Sequence, residues 1–81
     1  MAKVYIVSNT NEGVGYEQDF ILTVFSTKEK AKDFFNTTIN RILERNKGIN
    51  VRTDKDNDTY FFAETDNHYW YEVMIIEKEL N

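Results

Sequence analysis

Three aspartates at alternate positions are the first candidates for chemistry in this sequence. Asp54, Asp56 and Asp58 have the spacing with which a calcium-binding loop opens. Such a loop also needs a glycine at its sixth position and a bidentate glutamate at its twelfth, but Thr59 and Thr65 occupy those positions here. Because the ligand set is incomplete, we interpret residues 54–58 as a solvated hairpin turn. We predict no metal site and no calcium affinity better than millimolar.

The other ionisable residues offer no catalytic group of a familiar kind. His68 is the only histidine, and a single histidine beside a predicted turn is usually a surface residue. With Asp66-Asn67 as a two-residue turn, strand alternation places Glu64 and Glu72 on opposite faces. They would then not form the carboxylate pair that glycoside hydrolysis uses. We therefore expect no catalytic residue, no cofactor and no enzymatic activity.

Length and composition restrict the class of protein. The 81 residues form one domain, and a chain of this size buries only about 60% of its unfolded surface. There is no cysteine, which excludes a disulfide framework and a thiolate metal site. The first apolar run is too short for a signal peptide, and no segment approaches the roughly 20 apolar residues of a membrane span. We expect a cytoplasmic protein without a membrane partner.

Charge is distributed unevenly along a chain whose net charge is −4. Residues 27–47 contain six basic and three acidic residues, a local charge of +3. Residues 54–79 contain eight acidic and two basic residues, a local charge of −6. Contacts from Lys and Arg to phosphates provide most of the affinity for nucleic acid. We therefore expect no direct nucleic-acid binding, although the acidic segment could imitate a nucleic acid.

One long amphipathic helix is predicted at residues 27–46. Ser26 and Glu29 have the spacing of a capping box, and Gly48 follows the helix where a left-handed residue is favoured. Apolar residues recur at helical intervals at Ala31, Phe34, Phe35, Ile39, Ile42 and Leu43, with Thr38 filling the stripe. The residues predicted to pack on a sheet are Phe34, Phe35, Ile39, Ile42 and Leu43, the last at the margin of the stripe.

Runs of β-branched and aromatic residues predict five strands. They are expected at residues 3–8, 19–25, 49–53, 59–65 and 69–77, with a loop at residues 9–16. The short connections favour hairpins between consecutive strands. The predicted fold class is α+β: a single domain, residues 1–81, in which a five-strand antiparallel sheet of order ββαβββ carries one long amphipathic helix on one face.

The last two strands are rich in aromatic residues. Phe, Tyr and Trp make up 15% of the chain, and each such side chain buries about 150–250 Å². The two-residue turn pairs Glu64 with Tyr69 and Phe62 with Tyr71, and both faces of the hairpin are then substantially apolar. One helix covers one face, so rings on the other favour contact with another molecule. The residues predicted to bind a protein are Tyr60, Phe62, Glu64, Asp66, Tyr69, Trp70 and Tyr71. The alternative is a curled sheet that wraps the helix and hides most of these rings.

Parts of the sequence resemble small proteins of unknown function that phages and prophages encode. The resemblance lies in the strand Val-Tyr-Ile-Val at residues 4–7, the segment Val-Phe-Ser-Thr-Lys-Glu-Lys-Ala at 24–31, and the closing residues 71–73 and 77–80. These motifs describe strands and the start of a helix, so no catalytic residue accompanies them. The resemblance implies a small accessory protein of a bacterial virus, acting in the cytoplasm of the host.

Two functions are compatible with these observations. The first is a non-enzymatic, small acidic binding protein, encoded by a phage, that docks on a host protein as an inhibitor or anti-defence factor. Nucleic-acid mimicry by the acidic segment is one version of this function. The alternative is a homodimeric structural or small-ligand-binding module, in which the partner is a second copy of the chain and the sheets pack face to face.

Overall fold

Five strands and one helix make up the described part of the chain. The computed structural model describes residues 2–13, 19–56, 59–66 and 68–80, with the backbone alone at 19 and 56. The elements are β1 (Lys3–Glu12), β2 (Asp19–Phe25), α1 (Lys28–Arg45), β3 (Val51–Asp56), β4 (Tyr60–Thr65) and β5 (Trp70–Glu79). Neighbouring strands are antiparallel, and their order in the sheet is β2-β1-β5-β4-β3. The predicted α+β class and the ββαβββ order are confirmed.

β1 and β5 form the centre of the sheet, and both are longer than predicted. They pair over ten residues each, from Lys3 opposite Glu79 to Glu12 opposite Trp70. The predicted end of β1 at residue 8 is wrong. The next four residues have a weak intrinsic preference for strands, but pairing with β2 and β5 on both sides overrides it. Residues 9–12 of the predicted loop at 9–16 are therefore strand, and residues 14–16 lie outside the described residues.

The helix closely matches its prediction. α1 spans Lys28–Arg45, inside the predicted range. Its N-cap is Thr27, whose Oγ1 accepts a hydrogen bond from the backbone N–H three residues later at 3.3 Å, so the predicted capping by Ser26 is wrong. Two adjacent hydroxyl residues can both serve as caps, and the sequence does not show which one keeps an extended backbone. Gly48 has a φ of +88°, in the left-handed region as predicted.

The core lies between α1 and one face of the sheet. Its buried apolar residues are Val7, Ala31, Phe35, Ile39, Ile42, Phe61, Ala63, Tyr71 and Val73. At its edge, the rings of Phe34 and Phe25 have centroids 5.3 Å apart. Leu43 is 41% exposed, so its predicted packing on the sheet is wrong. It lies about 100° further round the helix than Ile42, which is buried, and this rotation carries it off the sheet.

The hairpin between β4 and β5 has a connection of three residues, not two. His68 has a φ of +67°, and the backbone N–H of Thr65 donates to the carbonyl oxygen of Tyr69 at 2.8 Å. A left-handed residue at the end of the loop is typical of three-residue hairpins. The predicted register is therefore wrong by one residue, and Glu64 lies opposite Trp70.

This shift of one residue decides which side chains enter the core. Phe61 lies opposite Val73, and both are buried beneath α1. In the predicted register Phe61 would share its face with Glu72, and burying that carboxylate would be costly. The observed register keeps Glu64 and Glu72 together on the face away from the helix, so the prediction that they lie on opposite faces is wrong.

Candidate protein-binding surface

The face of the sheet opposite α1, here called the open face, carries large apolar side chains that no described element covers. The most exposed are Phe20 at 59%, Leu22 at 54%, Val24 at 59% and Ile76 at 43%. Cross-strand pairing arranges the residues of β2, β1 and β5 in three rows: Val24–Ile6–Ile76, Leu22–Ser8–Met74 and Phe20–Thr10–Glu72. The first row is apolar throughout, and the face becomes more polar towards the third.

Small hydroxyl residues of β1 lie beneath larger neighbours on this face. Ser8 is 2% exposed and Thr10 is 7% exposed, although both point away from the helix. The large side chains of β2 and β5 on either side account for this burial. A molecule approaching this part of the open face would therefore meet mainly hydrocarbon.

Four of the predicted binding residues lie on the open face: Tyr60, Phe62, Glu64 and Trp70. The rings of Phe62 and Trp70 stack with centroids 6.4 Å apart and planes inclined by 23°. All four residues are partly buried by their neighbours in the sheet. They form the polar-aromatic half of the open face, next to the three rows of β2, β1 and β5.

Two of the predicted rings do not belong to this surface. Tyr71 is 6% exposed beneath α1, and its hydroxyl accepts a hydrogen bond from Nδ2 of Asn46 at 3.4 Å. The ring of Tyr69 lies across Gly13, where a Cβ atom would collide with it. Asp66 lies in the turn beyond β4. The set of residues chosen from the sequence is therefore divided between two sides of the sheet, as the corrected register requires.

Several acidic residues already have partners within the chain. Arg52 forms ion pairs with Glu64 and with Asp66, the latter at 3.6 Å between Nη1 and Oδ1. The hydrogen bond and charge of Glu64 raise the pKa of Arg52. The Tyr60 hydroxyl donates to Oε2 of Glu72 at 3.1 Å. The pKa of Tyr60 is raised mainly by the burial of the hydroxyl and, to a smaller extent, by the hydrogen bond to this carboxylate. The negative charge of Glu64 and Asp66 is thus partly neutralised by Arg52 of the same chain.

The two edges of the sheet differ in charge. β3 forms one edge and carries the charged run Arg-Thr-Asp-Lys-Asp at residues 52–56. β2 forms the other edge, and its residues 20–25 have no charge. Charged residues on edge strands prevent unwanted pairing with other chains. The apolar residues of β2 were missing from the predicted site. The sequence contained a signal for them, because β2 has apolar residues at both its odd and its even positions and the helix can cover only one face.

The aspartates that suggested calcium are not all in a turn. Asp54 and the backbone of Asp56 belong to β3, so the predicted turn at residues 54–58 is wrong at its start. Asp58 lies outside the described residues. Within the described ranges, no group of three or more His, Cys, Asp or Glu residues could hold a metal ion. The weak calcium affinity remains a prediction.

Comparisons with known proteins add no relative. No protein-family model matches the chain, and no match was found among curated proteins or solved structures. Of the helical structure in the described residues, none is both long enough and apolar enough to cross a lipid bilayer.

Proposed function

We propose that this chain is a non-enzymatic binding protein whose open face docks on a partner protein. The observation that carries this proposal is the group of four large apolar side chains, each more than two fifths exposed, on one face of β2 and β5, the two strands that flank β1. Contiguous apolar surface of this kind is typical of interaction sites. Burying a Leu, Val, Ile or Phe side chain completely contributes about 1.5–3 kcal/mol, so partial burial of several could support a stable complex.

The chemistry of the face indicates the chemistry of the partner. The apolar rows run towards an aromatic and acidic region that includes Asp54, which is exposed, and Glu72. A complementary surface would be apolar at its centre and basic along one side. The resemblance to phage-encoded proteins favours a host protein as the partner, with inhibition as the consequence. Mimicry of nucleic acid is the weaker version, because Arg52 already engages Glu64 and Asp66.

A matched pair of variants tests the surface. The double variant Leu22→Gln, Val24→Thr removes apolar area from the open face, and Leu43→Gln removes a similarly exposed residue from the helix instead. A partner would be captured from host lysate with the natural chain, purified, and titrated by calorimetry against all three proteins. We expect the double variant to weaken binding by about 100-fold and the control to change it by less than about threefold.

Charge and salt provide a second measurement. Asp54→Lys should slow association with the partner and weaken the dependence of the association rate on ionic strength. A partner that binds the double variant as tightly as the natural chain would contradict docking through the open face. If no protein binds, and the pure chain sediments as a monomer, the proposed function is wrong.

Self-association is a second candidate, and the uncharged edge of β2 favours it. Antiparallel pairing of two copies centred on Leu22 would place Phe20 opposite Val24 of the second copy, and Ile21 opposite Thr23. Residues paired in this way stay on matching faces of a ten-strand sheet. The free backbone groups of β2 would thereby gain partners, as strand edges in proteins commonly do.

Lysine substitutions at the two edges distinguish this candidate. Ile21→Lys places a charge on the free edge of β2, and Thr53→Lys places one on the edge of β3. Sedimentation velocity of the pure chain at about 100 μM should show a dimer that the first variant abolishes and the second preserves. A monomeric natural chain at this concentration would exclude the homodimer.

A further inference from the structure

A cleft of about 210 Å³ lies on the helix side of the sheet, between the C-terminal half of α1 and strands β1 and β2. It is separated from the open face by the sheet itself. Its walls are the apolar side chains of Ile21, Phe34 and Ile42 and the ring of Tyr71. An engineered cavity of about 150 Å³ is known to admit benzene, so this cleft has room for a body slightly larger than one aromatic ring.

The floor of the cleft is polar where a helix–sheet interface would ordinarily be apolar. Asn9 and Asn11 continue the face of β1 that begins with the fully buried Val7, and Thr23 and Thr38 approach them from β2 and α1. Among the described residues, Oδ1 of Asn9 is buried and has no hydrogen-bond partner. Leaving a buried acceptor unsatisfied destabilises a fold. A buried water or the donor group of a bound ligand would complete the hydrogen bonding of this oxygen.

Two arginines border the same cleft. Arg41 and Arg45 are four residues apart on α1, and neighbours at this spacing lie on the same side of a helix. Neither forms an ion pair with any described residue. The planar guanidinium group matches the oxygens of a carboxylate or a phosphate and binds them with paired hydrogen bonds. Arg45 also lies in the last turn, where a positive charge offsets the helix dipole, but this role does not involve Arg41.

We propose that this cleft binds a small organic oxyanion with a single-ring body and a hydroxyl or amino group. The carboxylate or phosphate of the ligand is held by Arg41 and Arg45. Its ring lies among the apolar walls, and its O–H or N–H donates to Oδ1 of Asn9. The three features of the ligand correspond to the three kinds of lining residue: basic at the border, apolar on the walls and an acceptor on the floor.

Amide chemical-shift titration of the full chain tests the site with defined probes. 4-Hydroxybenzoate and 4-hydroxyphenyl phosphate supply the two kinds of oxyanion with the same ring and donor, and 4-hydroxybenzamide supplies the ring and the donor without the charge. We expect saturable shifts at Asn9, Thr23 and Arg41 with at least one oxyanion below about 10 mM, and affinity for the amide weaker by about tenfold or more. The oxyanion that binds more tightly identifies the head group.

Two variants separate binding from structure. Arg41→Gln changes an exposed side chain and should weaken oxyanion binding by about tenfold at unchanged melting temperature. Asn9→Val replaces the unsatisfied amide, and should raise the melting temperature by about 4–8 °C while weakening binding of both hydroxyl-bearing oxyanion probes. Leu22→Gln, Val24→Thr should leave probe binding unchanged, because these residues lie on the open face. Failure of docking and failure of this site are thus independent results.

Three results would overturn the proposal. The first is the absence of saturable shifts at the cleft with both oxyanions up to about 10 mM. The second is equal affinity for the neutral amide, which would mean that the arginines do not contribute. The third is unchanged oxyanion affinity in the folded Arg41→Gln variant.

Discussion

Truncation of Phe35 is the most direct test of how the helix is attached to the sheet. The side chain is fully buried, and a phenylalanine in this position removes about 200 Å² from water. At about 25 cal/mol per Å² this corresponds to about 5 kcal/mol, and a compact unfolded chain reduces the figure by about 10–40%. We therefore expect Phe35→Ala to lower the free energy of unfolding by about 3–5 kcal/mol. A domain of this length is stable by only roughly 4–12 kcal/mol, so the loss is a large share.

Urea unfolding followed by the fluorescence of Trp70 provides the measurement. Because Phe35→Ala could leave too little stability to measure, Phe35→Leu serves as a milder variant, with an expected loss of about 1–1.5 kcal/mol. Leu43→Ala is the control on the same helix; its side chain is 41% exposed, and we expect a loss below about 1 kcal/mol. If Phe35→Ala costs no more than Leu43→Ala, the helix does not pack on the sheet through Phe35, and the assignment of the core is refuted.

Three further tests have defined outcomes. Thr27→Ala should cost about 0.5–2 kcal/mol of stability and Ser26→Ala much less, because only the former removes the N-cap; equal losses in thermal unfolding would contradict this. Gly13→Ala should lower the melting temperature, since the new Cβ would meet the tyrosine ring that lies across this residue, and calorimetry should show it. The raised pKa of Tyr60 means that folding favours its protonated form. The stability that this residue adds is therefore present below the unfolded pKa of 10.0 and is lost as pH rises through the folded value. Tyr60→Phe should accordingly flatten the decline of stability above about pH 10, and an unchanged decline would exclude the contribution.

The sequence predicted those elements in which local preference and tertiary packing agree. The helix has a stripe of apolar residues at the helical period and a glycine beyond its end, and both features act within a few residues. β2 consists mainly of β-branched and aromatic residues, so its prediction needed no long-range information. The presence of five strands, and their antiparallel arrangement, followed from similar patterns and from the short connections between them.

What the sequence did not predict depends on partners distant in the chain. Residues 9–12 are strand because β5 pairs with them, although Asn and Glu disfavour strands elsewhere. The hairpin register depends on the left-handed His68, which an Asp-Asn turn does not reveal. The one-residue difference in register changed the membership of the candidate site. In the observed register Tyr71 lies in the core, and Trp70 lies on the same face as Phe62. The exposed apolar side chains of β2 could be assigned to a surface only from the structure, in which α1 covers the opposite face of the sheet.

The pairing of β1 with β5 has a consequence for the chain while it is still on the ribosome. β1 leaves the exit tunnel early, but its central neighbour in the sheet is synthesised about sixty residues later, beginning at Trp70. Until then β1, β2 and α1 lack the strand that supplies Val73 and Tyr71 to the core, and their apolar side chains remain exposed. Pairing between such distant segments also slows folding. Nascent chains halted before residue 70 should therefore bind chaperones and be sensitive to proteases, and protection should appear only when β5 has emerged.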